Sequence, residues 1–328
     1  KETLRQKPAT IPSIFPLTTG GKCGRVCQYS GPLSELRAEG FFKEVIVLSA
    51  RQRGTFCVFL AAVLYSIGGL CIKLIPWSGM AINGARTAIA LVVIGLYLKL
   101  IGRKPGFNGW ILIGALSVCG TNILFSIANK LTTAANAIVL QFTAPIFVIV
   151  FSILFFGKKP RKLDLMACGL VLGGVLLFFV DSLSAGGMLG NVLALLSGVS
   201  YAGVFLMNDM PDSDAISSVF WGDVISAVVG LPWLGYETDF SQNTLTALLV
   251  LGIFQVGLAY ILLSEGLKTT PPVTASLVSG IEPVLNPVLV AVFYHEMIGP
   301  VALTGATIVV GGVVLYNVML ARQSEILT

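Results

Sequence analysis

Ten apolar stretches, each close to the length needed to cross a bilayer, follow one another through most of this chain. They cover residues 55–75, 79–101, 109–129, 132–156, 163–181, 188–208, 214–235, 244–266, 270–294 and 299–321, and we number them segments 1 to 10. A helix needs about 20 residues to cross the hydrocarbon core, where the backbone must satisfy its own hydrogen bonds. The pattern therefore predicts an all-α integral membrane protein with ten transmembrane helices.

Composition agrees with this class and excludes several others. Of the 328 residues 55% are hydrophobic and only 11% are charged, whereas soluble proteins carry about 25% charged residues. The net charge of +5 is spread along the borders of apolar segments instead of forming one polar face, which argues against nucleic-acid binding. Six cysteines without a CxxC pair and a single histidine offer little to a metal. We expect no metal and no cofactor.

The two halves of the chain are related by an internal duplication. An offset of 138 residues (283 − 145) places Pro145 on Pro283, and it also aligns Gly173-Gly174-Val175 with Gly311-Gly312-Val313. One ungapped offset across adjacent segments indicates a sequence repeat. Each copy holds five segments, an odd number, so the second copy must enter the membrane from the opposite side. We therefore predict two inverted five-helix repeats, at residues 54–181 and 186–321.

Residues 1–53 differ in character from the rest of the chain. They are polar and basic, and their one apolar patch is too short for the core of a signal peptide. We predict a disordered cytosolic extension; a basic organellar targeting leader is the alternative.

Basic residues at the segment ends predict the orientation. With the amino terminus inside, the cytoplasmic side receives Arg51, Arg53, Lys99, Arg103, Lys104, Lys158, Lys159, Arg161, Lys162, Lys268 and Arg322. Only Lys73 and Lys130 then face the exterior. Because cytoplasmic loops carry the excess of Lys and Arg, both termini are predicted to be cytoplasmic. The expected location is a bacterial plasma membrane.

Segment 9 carries the strongest polar signal. Glu282 lies near its middle, and Ser279 and Asn286 stand at spacings that share one helix face with it. A charge at the bilayer centre costs about 2.5–3.5 kcal/mol, so such an acid is a candidate for solute binding or ion coupling. The alternative is a protonated or paired acid that only shapes a kink.

Prolines mark candidate hinges in segments 4 and 9. Pro145, Pro283 and Pro287 each remove the N–H that would serve the carbonyl four residues earlier. We expect the carbonyls of Ser279 and Pro283 to be partly free as a result. Gln141 stands opposite Ser279 in the duplication and is a further candidate site residue.

Two more charges fall inside predicted helices. Arg86 in segment 2 is read either as a counter-charge for an anionic group or as a structural tie to Glu282 or Asp223. Asp223 in segment 7 stands at nearly the same offset from Arg86, 137 residues (223 − 86), and is either a proton site or a structural partner. Tyr65 and Tyr201 occupy comparable places in segments 1 and 6. With amides such as Asn122 and Gln255 they either line a cavity or only bond between helices.

The chain resembles the drug/metabolite transporter superfamily, EamA type. The likeness rests on the duplicated layout, on the stretches LTTAANAIVLQFTAPIFVIVFSILFFGKK and LKTTPPVTASLVSGIEPVLNPVLVAVFYHE, and on the glycine-rich LVLGGVLLF and IVVGGVVLYN. It covers about residues 54–321. The resemblance implies a secondary carrier of small metabolites with a central cavity built from segments 1, 3, 4, 6, 8 and 9.

These observations predict a secondary active transporter that is not an enzyme. The expected solutes are small organic metabolites such as amino acids or related amphiphiles, exported by alternating access; membrane lipid and a homodimer are the other expected partners. A transport-inactive scaffold subunit with a carrier fold is one alternative. An intramembrane hydrolase is the other alternative. Such an enzyme would need a buried Ser–His pair or two facing aspartates, and this sequence offers neither arrangement within its apolar segments.

Overall fold

A computed structural model describes residues 49–132, 134–179, 187–294 and 300–326. The predicted amino-terminal extension, apart from its last few residues, lies outside the described residues. Each of the ten segments is helical in its described part. The α-helices are, in chain order, Ala50–Tyr65, Gly68–Leu74, Gly79–Leu100, Gly109–Leu131, Ala134–Gln141, Ala144–Phe156, Lys162–Phe179, Met188–Phe205, Ala215–Gly230, Gln242–Val250, Ala259–Leu267, Pro272–Val278, Glu282–Tyr294 and Pro300–Ile326.

Eight segments within the described residues are long and apolar enough to cross a membrane. They are Ala50–Leu74, Gly79–Leu100, Gly109–Leu131, Asn136–Phe156, Met188–Phe205, Ala215–Tyr236, Gln242–Leu267 and Leu303–Arg322. They correspond to segments 1 to 4, 6 to 8 and 10. The all-helical membrane class is thus confirmed, and the full count of ten crossing helices stays a prediction.

Short polar side chains start several of these helices. The Ser78 hydroxyl accepts the Ala81 N–H at 3.2 Å at the start of segment 2, and the Asn108 side chain accepts the Ile111 N–H at 2.7 Å at the start of segment 3. Asp214 caps segment 7 and Ser241 caps segment 8 in the same way. Such caps satisfy N–H groups that have no partner within the helix. Capping residues in the loops therefore mark where these transmembrane helices begin.

Segments 1, 4, 8 and 9 depart from regular α-helix near their middles. Segment 1 is interrupted at Ser66 and Ile67, and segment 4 at Phe142 and Thr143. Segment 9 contains a 3-10 turn, Ser279–Ile281, and segment 8 contains a π-helical stretch, Leu251–Leu258. Irregular backbone at membrane depth is tolerated where it is enclosed by protein or lines a cavity. All four irregular stretches lie beside the cavity described below.

Segments 5 and 10 pack against each other, and their glycine pairs have unequal roles. A Cβ on Gly174 would come within 2.9 Å of both Ile308 and Val309, so only glycine allows this approach. Gly312 likewise faces the Leu170 side chain. In contrast, Gly173 and Gly311, the neighbours of these two residues, face open space. Close packing therefore accounts for the second glycine of each Gly-Gly dipeptide, Gly174 in segment 5 and Gly312 in segment 10.

Candidate functional site

A small cavity of about 20 Å³ lies at the centre of the helix bundle. Its walls are mostly polar or aromatic and are formed by Tyr65, Arg86, Thr121, Asn122, Phe125, Gln141, Tyr201, Gln255, Tyr260 and Glu282. These residues come from segments 1, 3, 4, 6, 8 and 9, the six that the resemblance implies, and from segment 2, which adds Arg86. The volume suits about one water molecule, since a cavity needs about 10–15 Å³ to hold one.

Arg86 is the centre of the hydrogen-bond network on one wall. Only 1% of this residue is exposed. Its Nη1 donates to Gln255 Oε1 at 3.0 Å, and its Nη2 donates to the Asn122 carbonyl at 3.2 Å and, more weakly, to Asn122 Oδ1 and Asn83 Oδ1 at 3.5 Å. Its Nε has no partner among the described residues. Neutral amide groups therefore hold the guanidinium of Arg86, and its Nε–H remains available as a hydrogen-bond donor.

Asp223 is linked to Arg86 indirectly. It is fully buried, and its Oδ1 accepts a hydrogen bond from Asn122 Nδ2 at 3.3 Å. No ion pair joins Arg86 to Asp223 or Glu282 within 4 Å in the described part of the chain. The direct tie expected between Arg86 and an acid is therefore replaced by a relay, Arg86–Asn122–Asp223. The amide of Asn122 satisfies one carboxylate oxygen of Asp223, and the other, Oδ2, has no partner among the described residues.

Three tyrosines also line the cavity. The Tyr65 ring meets Tyr201 edge to face at 6.3 Å and Tyr260 at 5.5 Å, a geometry that aromatic pairs prefer. The Tyr260 hydroxyl donates to Asn122 Oδ1 at 3.4 Å. The hydroxyls of Tyr65 and Tyr201 are buried without partners among the described residues. The cavity thus offers two free hydroxyl groups.

Glu282 enters the cavity from segment 9 as the first residue of the helix Glu282–Tyr294. It is partly exposed, unlike Arg86 and Asp223. No hydrogen bond or ion pair engages its carboxylate among the residues that the structure describes. The site therefore combines two buried opposite charges that are linked through Asn122 with one acid that has no partner among the described residues.

Comparison with known proteins identifies the family. The profile described as "EamA-like transporter family" matches residues 52–180 and again residues 188–318, so it covers most of the chain in two repeats. The chain belongs to the EamA-like transporter family. It is a multi-pass integral membrane protein, and its resemblance to this family is confirmed.

Relatives of this EamA-like transporter come from several microorganisms. The uncharacterized transporter YwfM of Bacillus subtilis is 26% identical over 284 residues, which cover 81% of this chain and 94% of its own. An uncharacterized transporter of Clostridium kluyveri is 24% identical over 302 residues, covering 81% of this chain and 94% of its own. A solved crystal structure, 18% identical, matches 82% of this chain and 98% of its own with a TM-score of 0.70. That last likeness supports the fold alone.

The three polar residues predicted in segment 9 of this EamA-like transporter make different contacts. Only Glu282 lines the cavity. Asn286 Nδ2 instead donates to the Ser66 carbonyl at 2.5 Å, at the interruption of segment 1. The Ser279 hydroxyl is buried without a partner in the described part of the chain. Residues three apart in a 3-10 turn stand on one line, so Ser279 stays on the face of Glu282, and Asn286 follows Glu282 by one turn of the helix Glu282–Tyr294.

Two of the three prolines, Pro145 and Pro283, lie at helix starts. Pro145 and Pro283 are each the second residue of the helix that follows an interruption, a position where the missing N–H costs nothing. Pro287 lies one turn further on, within the helix. The expectation of a free Ser279 carbonyl is wrong, because that carbonyl accepts the Glu282 N–H and closes the 3-10 turn. The interruptions that precede Pro145 and Pro283 are further candidates for a hinge, and the hinge role of Pro145, Pro283 and Pro287 stays a prediction.

Sequence reasoning missed Tyr260, Thr121 and Phe125 as wall residues. Tyr260 follows Gln255 by five residues, which is about 1.4 turns of an α-helix and would place them on different faces. The π-helical stretch Leu251–Leu258 widens the turn, and both side chains reach the cavity. The duplication offered one signal, since an offset of 138 residues connects Tyr260 with Asn122.

Proposed function

We propose that this EamA-like transporter carries small organic metabolites, such as amino acids or related amphiphiles, by alternating access between its two repeats. The repeats are inverted, both termini lie in the cytoplasm of a bacterial-type cell, and net transport runs outward. The observation that carries the proposal is the carboxylate of Glu282, which lines the cavity without a partner among the described residues, whereas Arg86 and Asp223 are linked to each other through Asn122. A scaffold has no need of an unpaired acid at this depth.

The chemistry of the cavity favours a solute with an amine and a carboxylate. Glu282 is placed to accept a hydrogen bond from an amine or to carry a proton. The unpartnered Nε of Arg86 and the free hydroxyls of Tyr65 and Tyr201 are donors suited to a carboxylate. The tyrosine rings add an apolar surface for the remainder of the solute.

Contacts between the repeats close the predicted outer end. The Trp77 indole N–H donates to the Asp239 carbonyl at 2.7 Å, and the Ser78 N–H donates to the Glu237 carboxylate at 2.8 Å. Hydrogen bonds from Thr244 and from Ser241 hold the pKa of the Asp239 carboxyl below its usual value. Asp239 therefore stays ionised at neutral pH and keeps the turn before segment 8 in place.

Ion pairs between the repeats close the predicted cytoplasmic end. Lys158 Nζ lies 2.7 Å from Asp209 Oδ2, and Arg103 Nη2 lies 3.4 Å from Asp214 Oδ2. Both cations belong to the first repeat and both acids to the second. Exposed pairs of this kind are worth about 0–1 kcal/mol each, so they can open during a transport cycle.

The closed ends and the small cavity indicate an occluded arrangement. A volume of about 20 Å³ is too small for an amino acid, so a solute must enter when one end opens. The irregular backbone at Ser66, Thr143 and Ser279 lies next to the cavity walls. Such interruptions are the places where helix halves can move with respect to each other.

Counterflow in proteoliposomes tests the proposal. We expect vesicles preloaded with an unlabelled zwitterionic amino acid to accumulate the labelled form, and empty vesicles not to do so. A panel of amino acids, amines and carboxylates then separates the solute classes, and zwitterions are expected to be transported best. Failure of every small metabolite to exchange, with protein that is folded and correctly inserted, would contradict the proposal and favour the scaffold.

A further inference from the structure

A groove of about 640 Å³ runs between segments 1 and 10. Its walls are mainly apolar and include Phe56, Phe59, Val278, Val314 and Val318. Phe56, Phe59, Val314 and Val318 are exposed in spite of their apolar side chains. The volume falls within the range of about 300–1,000 Å³ that is typical of sites for drug-sized ligands. The groove is therefore large enough to be a binding site.

A second, polar cleft of about 190 Å³ adjoins one end of the groove. The two share Arg51 and Leu320 as wall residues. The cleft also contains four more charged groups on its basic loop and the first turn of segment 5, namely Lys158, Lys159, Arg161 and Asp164. An apolar groove and a charged cleft thus form one continuous surface.

The acids in the cleft are already engaged, which leaves an excess of positive charge. Asp164 accepts hydrogen bonds from the Tyr316 hydroxyl at 2.8 Å and from the Arg161 N–H at 2.9 Å. Asp209 is paired with Lys158 at 2.7 Å. In the described part of the chain no ion pair engages the side chains of Arg51, Lys159 or Arg161. These three cations are free to bind an anion.

We propose that this surface binds an anionic phospholipid. Its phosphate lies in the cleft among Arg51, Lys159 and Arg161, and one acyl chain lies in the groove over Phe59 and Val314. The charge of the cleft and the apolar continuation of the groove match the two parts of such a molecule. Basic pockets between transmembrane helices on the cytoplasmic side are suited to acidic headgroups.

Native mass spectrometry of the full-length protein in mild detergent tests the lipid site. The probes are dioleoylphosphatidylglycerol and dioleoylphosphatidylcholine, added at equal concentration. We expect the wild-type chain to retain one molecule of phosphatidylglycerol and to bind phosphatidylcholine much more weakly. Each Lys or Arg near an anionic headgroup contributes about fivefold to binding. The pair Lys159→Gln and Arg161→Gln should therefore weaken retention by about 25-fold.

Two control variants distinguish the site from general charge and general hydrophobicity. Lys99→Gln with Lys104→Gln removes two exposed cations from the same predicted face but outside the cleft, and should leave retention unchanged. Val314→Trp should fill the groove and release the lipid. Leu315→Trp should not, although the two residues are equally exposed, at 57% and 55%, because Leu315 lies outside the groove.

Several outcomes would overturn this inference. Equal effects of the cleft and control variants would mean that the cations act only through overall charge. Competition by glycerol 3-phosphate at the same affinity would assign the cleft to a soluble phosphate. A lipid-free dimer that Val314→Trp dissociates would assign the groove to a second copy of this chain. A monomer that retains no lipid would indicate that another part of the same chain occupies the groove.

Discussion

Asn122 and Tyr260 are separated by 138 residues, the offset of the internal duplication, and the Tyr260 hydroxyl donates to Asn122 Oδ1 at 3.4 Å. Two residues at equivalent places in the two repeats therefore meet at the cavity. Asn122 also accepts hydrogen bonds from Arg86 and donates to Asp223. Arg86 and Asp223 are themselves 137 residues apart (223 − 86), which is nearly the offset of the duplication. The point where the repeats converge is thus the point where the buried charges are joined.

Replacement of Asn122 tests this junction. Asn122→Leu removes its side-chain bonds to Arg86, Asp223 and Tyr260, and leaves the two charges without their relay. We expect the free energy of unfolding in detergent to fall by about 3–5 kcal/mol, as when a buried pair is broken. Thr121→Val is the control, since among the described residues its hydroxyl bonds only within its own helix, to the Ser117 carbonyl at 2.7 Å, and the change should cost about 1 kcal/mol or less. Equal losses of unfolding free energy in Asn122→Leu and Thr121→Val would contradict the proposed role of Asn122 as the link between Arg86 and Asp223.

Glu282 is expected to act in transport and not in folding. Glu282→Gln keeps the shape of the side chain but abolishes ionisation. Because the carboxylate has no partner among the described residues, the variant should unfold at the wild-type temperature. Uptake driven by a pH gradient should fall at least about tenfold, the equivalent of 1.4 kcal/mol, while solute exchange persists.

Thermal unfolding and flux for Glu282→Gln must be measured on one preparation. A stable variant with the pH-dependent flux of wild type would remove Glu282 from the mechanism. An unstable variant would instead assign it a structural role. Asp223→Asn serves as the comparison, since its loss of charge leaves the buried Arg86 without its linked acid and should lower stability.

The cytoplasmic ends of the repeats are expected to separate during transport. In a variant without native cysteines, Lys158→Cys with Asp209→Cys places two thiols where the ion pair now spans 2.7 Å. A short cross-linker should then stop flux, and cleavage of the linker should restore it. Glu265→Cys with Lys268→Cys is the control, since this pair lies at one end of segment 8. Flux that continues through the cross-linked 158–209 pair would argue against opening at this end.

The contact between the interruptions of segments 4 and 9 should be sensitive to size. A Cβ on Gly280 would lie 2.7 Å from Phe142 Cζ and 2.9 Å from Val171 Cγ1, and both neighbours are buried. Gly280→Ala should therefore cost about 1–3 kcal/mol of stability and slow transport. Gly311→Ala faces open space and should stabilise its helix by about 0.5–1 kcal/mol. The two melting temperatures should shift in opposite directions; a shared sign would refute the packing argument.

The predicted topology can be measured by single-cysteine labelling. Cysteines at positions 103 and 159 should react only from the cytoplasm, and those at 76 and 237 only from outside. The two lysines predicted to face outside both donate to backbone carbonyls: Lys73 to that of Thr132 at 3.0 Å, and Lys130 to that of Ile75 at 2.5 Å. A position 103 that is reachable only from the exterior would reverse the orientation.

Much of the architecture of this protein was determined by its sequence alone. Long apolar segments leave the backbone no option but helix in lipid, and the repeated offset relates the two halves. The same reasoning selected Tyr65, Arg86, Gln141, Tyr201 and Glu282, all of which line the cavity. Polar side chains are costly in a membrane, so their presence inside a segment is informative before any fold is known.

The tertiary structure decided which of these polar groups are free and which are satisfied. The sequence cannot predict that Asn122 separates Arg86 from Asp223, because their hydrogen bonds join residues 36 and 101 positions apart. Nor can it predict the π-helical stretch that turns Tyr260 and Gln255 toward one cavity, or the hydrogen bond from Asn286 to the Ser66 carbonyl. Local propensity differs little between these helix types, and packing against neighbouring segments selects among them. Glu282 is the candidate transport residue because that packing leaves its carboxylate without a partner among the described residues.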